Sequence, residues 1–379
     1  MDIRTRLAAV GITGITATAL AAFFASPANA TPDQHHATDR PVFVLANESA
    51  GNSVAVYDQN ADGTLTSAGR YQTGGLGGAL TGSVVDHLAS QGALTYDRTR
   101  HLLYAVNAGS NTLTVFAAHG DRLERLQVVS SGGDFPVSVA IHGNVAYVLN
   151  ARNGGSIQGY LRVGQTLLRI PAWHRALGLD PTAAPEFVNT PGQVAFNPAG
   201  DQLIVTTKAN GNQIDVFNLD AFGGPGGAPT VTVDPAGVPF AVSFDRTGRL
   251  DVAEAGPNAV ASYVLHRDGT LTLVDRVATG QAATCWIVGT GGHLYADNAG
   301  SGSVSIFDVT DSGLAADGQA STDGGTIDAA VSSDDRNLYV QTGATGTVDE
   351  FAIAADGSLT SIGSVTVPGT IGGEGIAAG

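Results

Sequence analysis

From Val42 onward, short apolar runs alternate with turns rich in Asn and Gly, and one phrase recurs along the chain. It is an apolar strand, a polar turn and an alternating strand: VFVLANESAGNSVAVYD from Val42, LYAVNAGSNTLTVF from Leu103, LYADNAGSGSVSIF from Leu294. The second residue of each phrase is Phe43, Tyr104, Tyr147, Ile204, Asp251, Tyr295 or Tyr339, at spacings of 43 to 61 residues. Strand-like repeats of this period indicate propeller blades. A segment of small residues precedes six of the phrases, at residues 92–96, 137–141, 192–196, 240–244, 284–288 and 327–331. Small side chains suit the crowded inner strand of a blade. Asp-Gly pairs at Asp62, Asp268 and Asp356 sit between alternating runs and predict hairpins with type I′ turns. The pattern therefore predicts an all-β, seven-bladed propeller of four-stranded blades. The first phrase lacks a preceding inner strand. Residues 374–378, EGIAA, have the character to supply it, so the C-terminus is expected to complete the first blade and close the ring. Two β-sandwich domains are the alternative, but no linker or composition shift divides the chain.

Composition agrees with short strands and tight turns. Glycine contributes 51 of 379 residues, and only 14% are charged, against roughly 25% in an average domain. The N-terminus departs from the repeat. Arg4 and Arg6 precede an uncharged apolar run over residues 7–24, followed by Ala28-Asn29-Ala30. This is the layout of an export signal cleaved after Ala30. The expected organisation is a signal peptide over 1–30, a disordered mature N-terminus over 31–40, a propeller over 41–379, and a secreted product. A net charge of −16 argues against nucleic-acid binding and against anionic lipid surfaces. A monomer is expected. Cys285 is the only cysteine, so neither an internal disulfide nor a cysteine zinc site can form. The histidines show no metal-binding spacing, and neither metal nor cofactor is expected. Asp58 to Gly63 looks like the start of a calcium loop, but its twelfth position is Gly69, and a turn is the better reading.

The strand phrases, the DGTLT hairpins and the links FNPAGDQL and FDRTGRL resemble the lactonase family of seven-bladed propellers. That family includes 6-phosphogluconolactonase and carboxymuconate cyclase. The resemblance covers residues 41–379 and implies a lactone-hydrolysing or related activity. It also implies an Arg-His or His-His pair entering an inner strand and a Glu closing a following strand. Here Gly192-Gln193 occupies the place of the pair, and the Glu position falls near Lys208. The family's catalytic residues are therefore not carried over.

Other residues supply the candidates. In a propeller, connections between blades and turns between second and third strands emerge on one face. Two long connections, 73–91 and 167–191, are expected there, and loops of that length are usually functional or disordered. They place His87 and the run Trp173, His174, Arg175 as ligand-binding candidates, with Arg152 from a neighbouring turn. At one turn position stand Asn107, Asn150, Thr207, Glu254, Asn298 and Thr342, of which Glu254 is the only carboxylate. Glu254 as a general base and Lys208 as an anion partner form the catalytic candidates. Gln193, Cys285 and Asp328 share an inner-strand register and are expected to form a polar ring in the channel. The functional expectation is a small polar molecule, a glycan or a protein bound on the loop-rich face. Hydrolysis of a sugar-acid or related lactone is the alternative.

Overall fold

The computed structural model describes residues 40–379; the segment expected to be an export signal, residues 1–30, and residues 31–39 lie outside them. The strands form seven four-stranded antiparallel sheets. We number the blades by their second strand and name the strands inner, second, third and outer. Blade 2, for example, runs Leu94–Asp97, Leu102–Asn107, Thr112–His119 and Arg122–Ser130. Blades 3 to 7 repeat this order, with inner strands Pro136–His142, Val194–Phe196, Pro239–Phe244, Thr284–Thr290 and Thr326–Val331. Blade 1 is the exception. Its second strand Pro41–Leu45 pairs with Ser53–Gln59 on one side and with the C-terminal strand Ile376–Ala378 on the other. The seven-bladed architecture and its closure by the C-terminus are as the repeat predicts.

Three of the repeat tyrosines have a bonding role. The second-strand tyrosines are fully buried, and three donate to a glycine carbonyl in the next blade's hairpin: Tyr147 to Gly223, Tyr295 to Gly357 and Tyr339 to Gly63, at 2.7, 3.0 and 2.8 Å. The Asp-Gly hairpins are wider than expected. Asn60 and Thr64 bracket one, with Gly63 N–H donating to Asn60 O at 3.0 Å, and only Gly63 has positive φ. A type I′ turn would need positive φ at both central residues. Asp62 avoids it because its Oδ1 accepts from the backbone and hydroxyl of Thr64. The same bonds recur at Asp268 with Thr270 and at Asp356 with Ser358.

The asparagines of the turns between second and third strands take two conformations. Asn107 is extended, with φ −125°, and its amide bonds Thr112 and Thr114. The left-handed position is four residues further on. Asn111, Asn212 and Asn258, all with φ between 50° and 56°, accept from the backbone N–H of Phe135, Val238 and Thr284 where the chain enters the next blade. These bonds tie blades 3, 6 and 7 to their successors on one face and blades 2, 4 and 5 to theirs on the other.

Candidate functional site

The connection between the outer strand of blade 1 (Leu65–Gln72) and the inner strand of blade 2 lies on the surface only in part. Its second half runs into the channel as a plug. Trp286 Nε1 donates to Ser90 O at 2.6 Å, and Gln91 exchanges two hydrogen bonds with the backbone of Ile287. Ser90 Oγ bonds Val137 O and Glu374, and Gln91 N–H reaches Gly192 O. Lys208, 1% exposed, donates from Nζ to Ala89 O and Phe187 O at 2.6 Å each and to Thr190 Oγ1 at 3.1 Å. Asp86 lies in the plug, where the backbone N–H groups of Leu88 and Ser90 donate to it.

This centre concentrates buried charge. Asp86 and Glu374 act on Lys208, Asp328 acts on those two acids, and burial raises all three acids: Asp86 to about 6, Asp328 to about 7 and Glu374 well above the carboxylate range. Burial lowers Lys208 to about 7. A carboxyl raised in the folded state binds more protons than in the unfolded chain, so its contribution to stability falls as pH rises from about 4 through its folded pKa. Depression of Lys208 acts in the opposite sense, but only above pH 7. Melting temperature is therefore expected to decline between pH 5 and pH 7. Thermal unfolding at constant ionic strength checks this; a rise over that interval would contradict it.

The expected polar ring is instead a set of latches. Ser138, Gln193 and Asp328 each accept a backbone N–H from the next blade's inner strand, from Val194, Val242 and Ile376. Cys285 is buried, and burial pushes its thiol up to about 12, so it stays protonated. His87 is half-buried, packed against Gly372, with its imidazole lowered by burial.

Glu254 and Lys208 are not brought together. The Glu254 carboxylate lies 2.7 Å from Arg276 Nε and accepts from Tyr263 OH, while Asp234 shares the same guanidinium. Burial raises Glu254 to about 7, yet its partners belong to blade 5 and the connection before it. Trp173, His174 and Arg175 are likewise not loop residues. The outer strand of blade 3 extends over Thr166–Ala176, so the long connection shortens to residues 177–193. Trp173 is buried in a stack on Tyr147, ring centres 6.3 Å apart. Arg175 donates to the carbonyls of Ala172, His174, Pro225 and Gly226. His174 is exposed on the edge strand.

Arg152 does line a cavity. Its guanidinium stacks 4.2 Å over Phe135 and pairs with Glu186 at 2.7 Å, which holds Glu186 down at about 2. The cavity, about 150 Å³, lies between blades 3 and 4 and is walled by Arg152, Asn153, Asp180, Asn189, Thr190 and Asn210. Thr190 joins it to the buried charge, because its hydroxyl accepts from Lys208 and keeps its own proton for a ligand. Hydrogen bonds from Thr182 keep exposed Asp180 ionised. Sequence reasoning found Arg152 but missed Thr190, Asn189 and Asn210, ordinary polar loop residues that only folding gathers. No group of His, Cys, Asp and Glu among the described residues is placed to hold a metal ion.

The description "Lactonase, 7-bladed beta-propeller" matches residues 31–167. A search of curated proteins returned no match. A Bacteroides fragilis structure provisionally assigned as a 6-phosphogluconolactonase superposes with TM-score 0.70 at 18% identity, covering 92% of this chain and 99% of its own. The periplasmic gluconolactonase of Pseudomonas aeruginosa superposes with TM-score 0.69 at 17% identity, covering 86% and 96%. A streptogramin B lyase, at TM-score 0.51 and 11% identity over 74% and 85%, shares the fold under a different activity. At such identities the solved structures speak for the fold alone. With the family match over residues 31–167 and the fold match around the whole ring, the chain has a lactonase-like seven-bladed β-propeller fold.

Proposed function

We propose that the protein is exported and binds a small, polyhydroxylated carboxylate, of the sugar-acid class, in the cavity between blades 3 and 4. The observation that carries this reading is the donor set. Arg152 spends Nε and Nη2 on Glu186 and Ala79 O, which leaves Nη1 without a protein partner among the described residues. Lys208 stands one hydrogen bond behind Thr190, so a second cation backs the same wall. A carboxylate opposite Arg152 and hydroxyls opposite Asp180 and Thr190 match these groups. The gluconolactonase activity of the Pseudomonas aeruginosa neighbour supports the same chemical class.

Isothermal titration with aldonates, their lactones and matched neutral polyols tests the reading. Aldonate binding is expected to be saturable and to weaken about tenfold in Arg152→Gln, with polyols little affected, since a charge-assisted hydrogen bond contributes roughly 1.5–3 kcal/mol. Thr190→Val should weaken both classes. No saturable binding across the panel would overturn it. Lactone hydrolysis is the second reading, favoured by the Glu254 pKa near 7, which suits a general base. Proton release from the lactones, lost in Glu254→Gln, would select it.

A further inference from the structure

A second cavity lies across the segment 186–190 from the polar one. Glu186, Asn189 and Thr190 line the polar cavity, while Phe187 turns into the other. Its volume is about 140 Å³, and its walls are Val85, Ala89, Phe187, Phe240, Cys285 and Trp286. Phe240 and Trp286 meet at 4.9 Å with planes 59° apart, giving two aromatic walls set at an angle. Ala283, Ala299 and Asp86 complete the lining, and Val84, 77% exposed, stands at the rim.

The polar groups around it are already engaged. Trp286 Nε1 is spent on Ser90 O. The Asp86 oxygens are spent on Leu88 and Ser90. Lys208 directs Nζ to the plug carbonyls and passes 5.1 Å from the Phe240 ring. Cys285 offers only a protonated thiol, a soft apolar contact. A charged or hydroxyl-rich ligand would find no partner here and would lose its hydration. An apolar cavity of roughly 150 Å³ stays dry and admits benzene.

We propose that this cavity is a separate binding site for a small uncharged aromatic molecule with a single six-membered ring, entering past Val84. Edge contacts with Phe240 and Trp286 and the Cys285 sulfur would hold the ring. The site is independent of the sugar-acid reading, since no side chain lines both cavities.

Fluorobenzene is the probe, titrated into the full-length protein and followed by fluorine NMR. The chain has only two tryptophans, so a Trp173→Phe background makes Trp286 the sole indole reporter. Saturable binding is expected, with a matching change in Trp286 emission. Ala299→Leu, which fills the cavity, should weaken binding at least tenfold. Cys285→Ala, which enlarges it, should retain binding, and it keeps the test open if the filled variant fails to fold. Absence of saturable binding to the wild type would overturn the proposal. So would unchanged affinity in a folded Ala299→Leu protein, or binding that leaves Trp286 emission unaltered.

Discussion

A chain ending at Gly373 is expected to lose its native fold, or to melt far below the full-length protein. Only six residues are removed, but they include the inner strand of blade 1. Ile376, Ala377 and Ala378 pair with Val44, Phe43 and Val42, Leu45 N–H donates to Gly375 O, and Gly379 N–H donates to Pro41 O at 2.7 Å. Arg98 of the turn after the inner strand of blade 2 bonds Ala378 O, and Glu374 accepts from Ser90 and Ala93. Each hydrogen bond contributes about 1 kcal/mol net, while a native domain is stable by roughly 5–15 kcal/mol in all. Removal of the strand also leaves Pro41–Leu45, buried along its whole length, with an open edge. Urea unfolding followed by circular dichroism checks this. A truncated protein within about 1 kcal/mol of the parent would show that the ring does not need its closing strand.

Lys208→Met is expected to cost about 3–5 kcal/mol, the range for removing one partner from a buried charge cluster. The ammonium is almost wholly buried and serves two backbone carbonyls and a hydroxyl at once. Met fills a similar volume and restores none of those bonds. The carbonyls of Ala89 and Phe187 would lose this donor, and Asp86 and Glu374 would lose the nearby positive charge that favours their ionised forms. Lys208→Met combined with Asp86→Asn should recover part of the loss, because the amide keeps an acceptor oxygen without the charge. A single variant that unfolds at the parental urea concentration would place the stabilisation elsewhere.

The fold was legible because the strand phrase recurs in all seven blades, so the period survives wherever side chains vary. Ring closure was legible for a related reason: one inner strand was missing at the start and one was spare at the end. The site was much less so. Glu254 was singled out as the one carboxylate at its turn position, but its pairing with Arg276 lies between strands whose register a motif does not reveal. Trp173 was placed in a loop because the outer strand of blade 3, at eleven residues, exceeds the pattern of the other blades. The plug was visible only as a long Gly-rich connection. Its burial depends on Ser90 and Gln91, whose partners lie in blades far away in sequence. Gln193 and Asp328 did share a register, but that register is the one through which neighbouring inner strands are latched.

The plug also fixes the number of blades. Contacts that run only from one blade to its successor leave a ring free to gain or lose a repeat, since every junction looks alike. Here Ala89, Ser90 and Gln91 reach Lys208, Glu374 and Ile287 in blades 4, 1 and 6. Those partners lie at set angles around the axis, and a duplicated or deleted blade would rotate them out of reach. Growth by repeat duplication, the ordinary route by which propellers diversify, is therefore closed to this chain unless the segment at its hub changes with it.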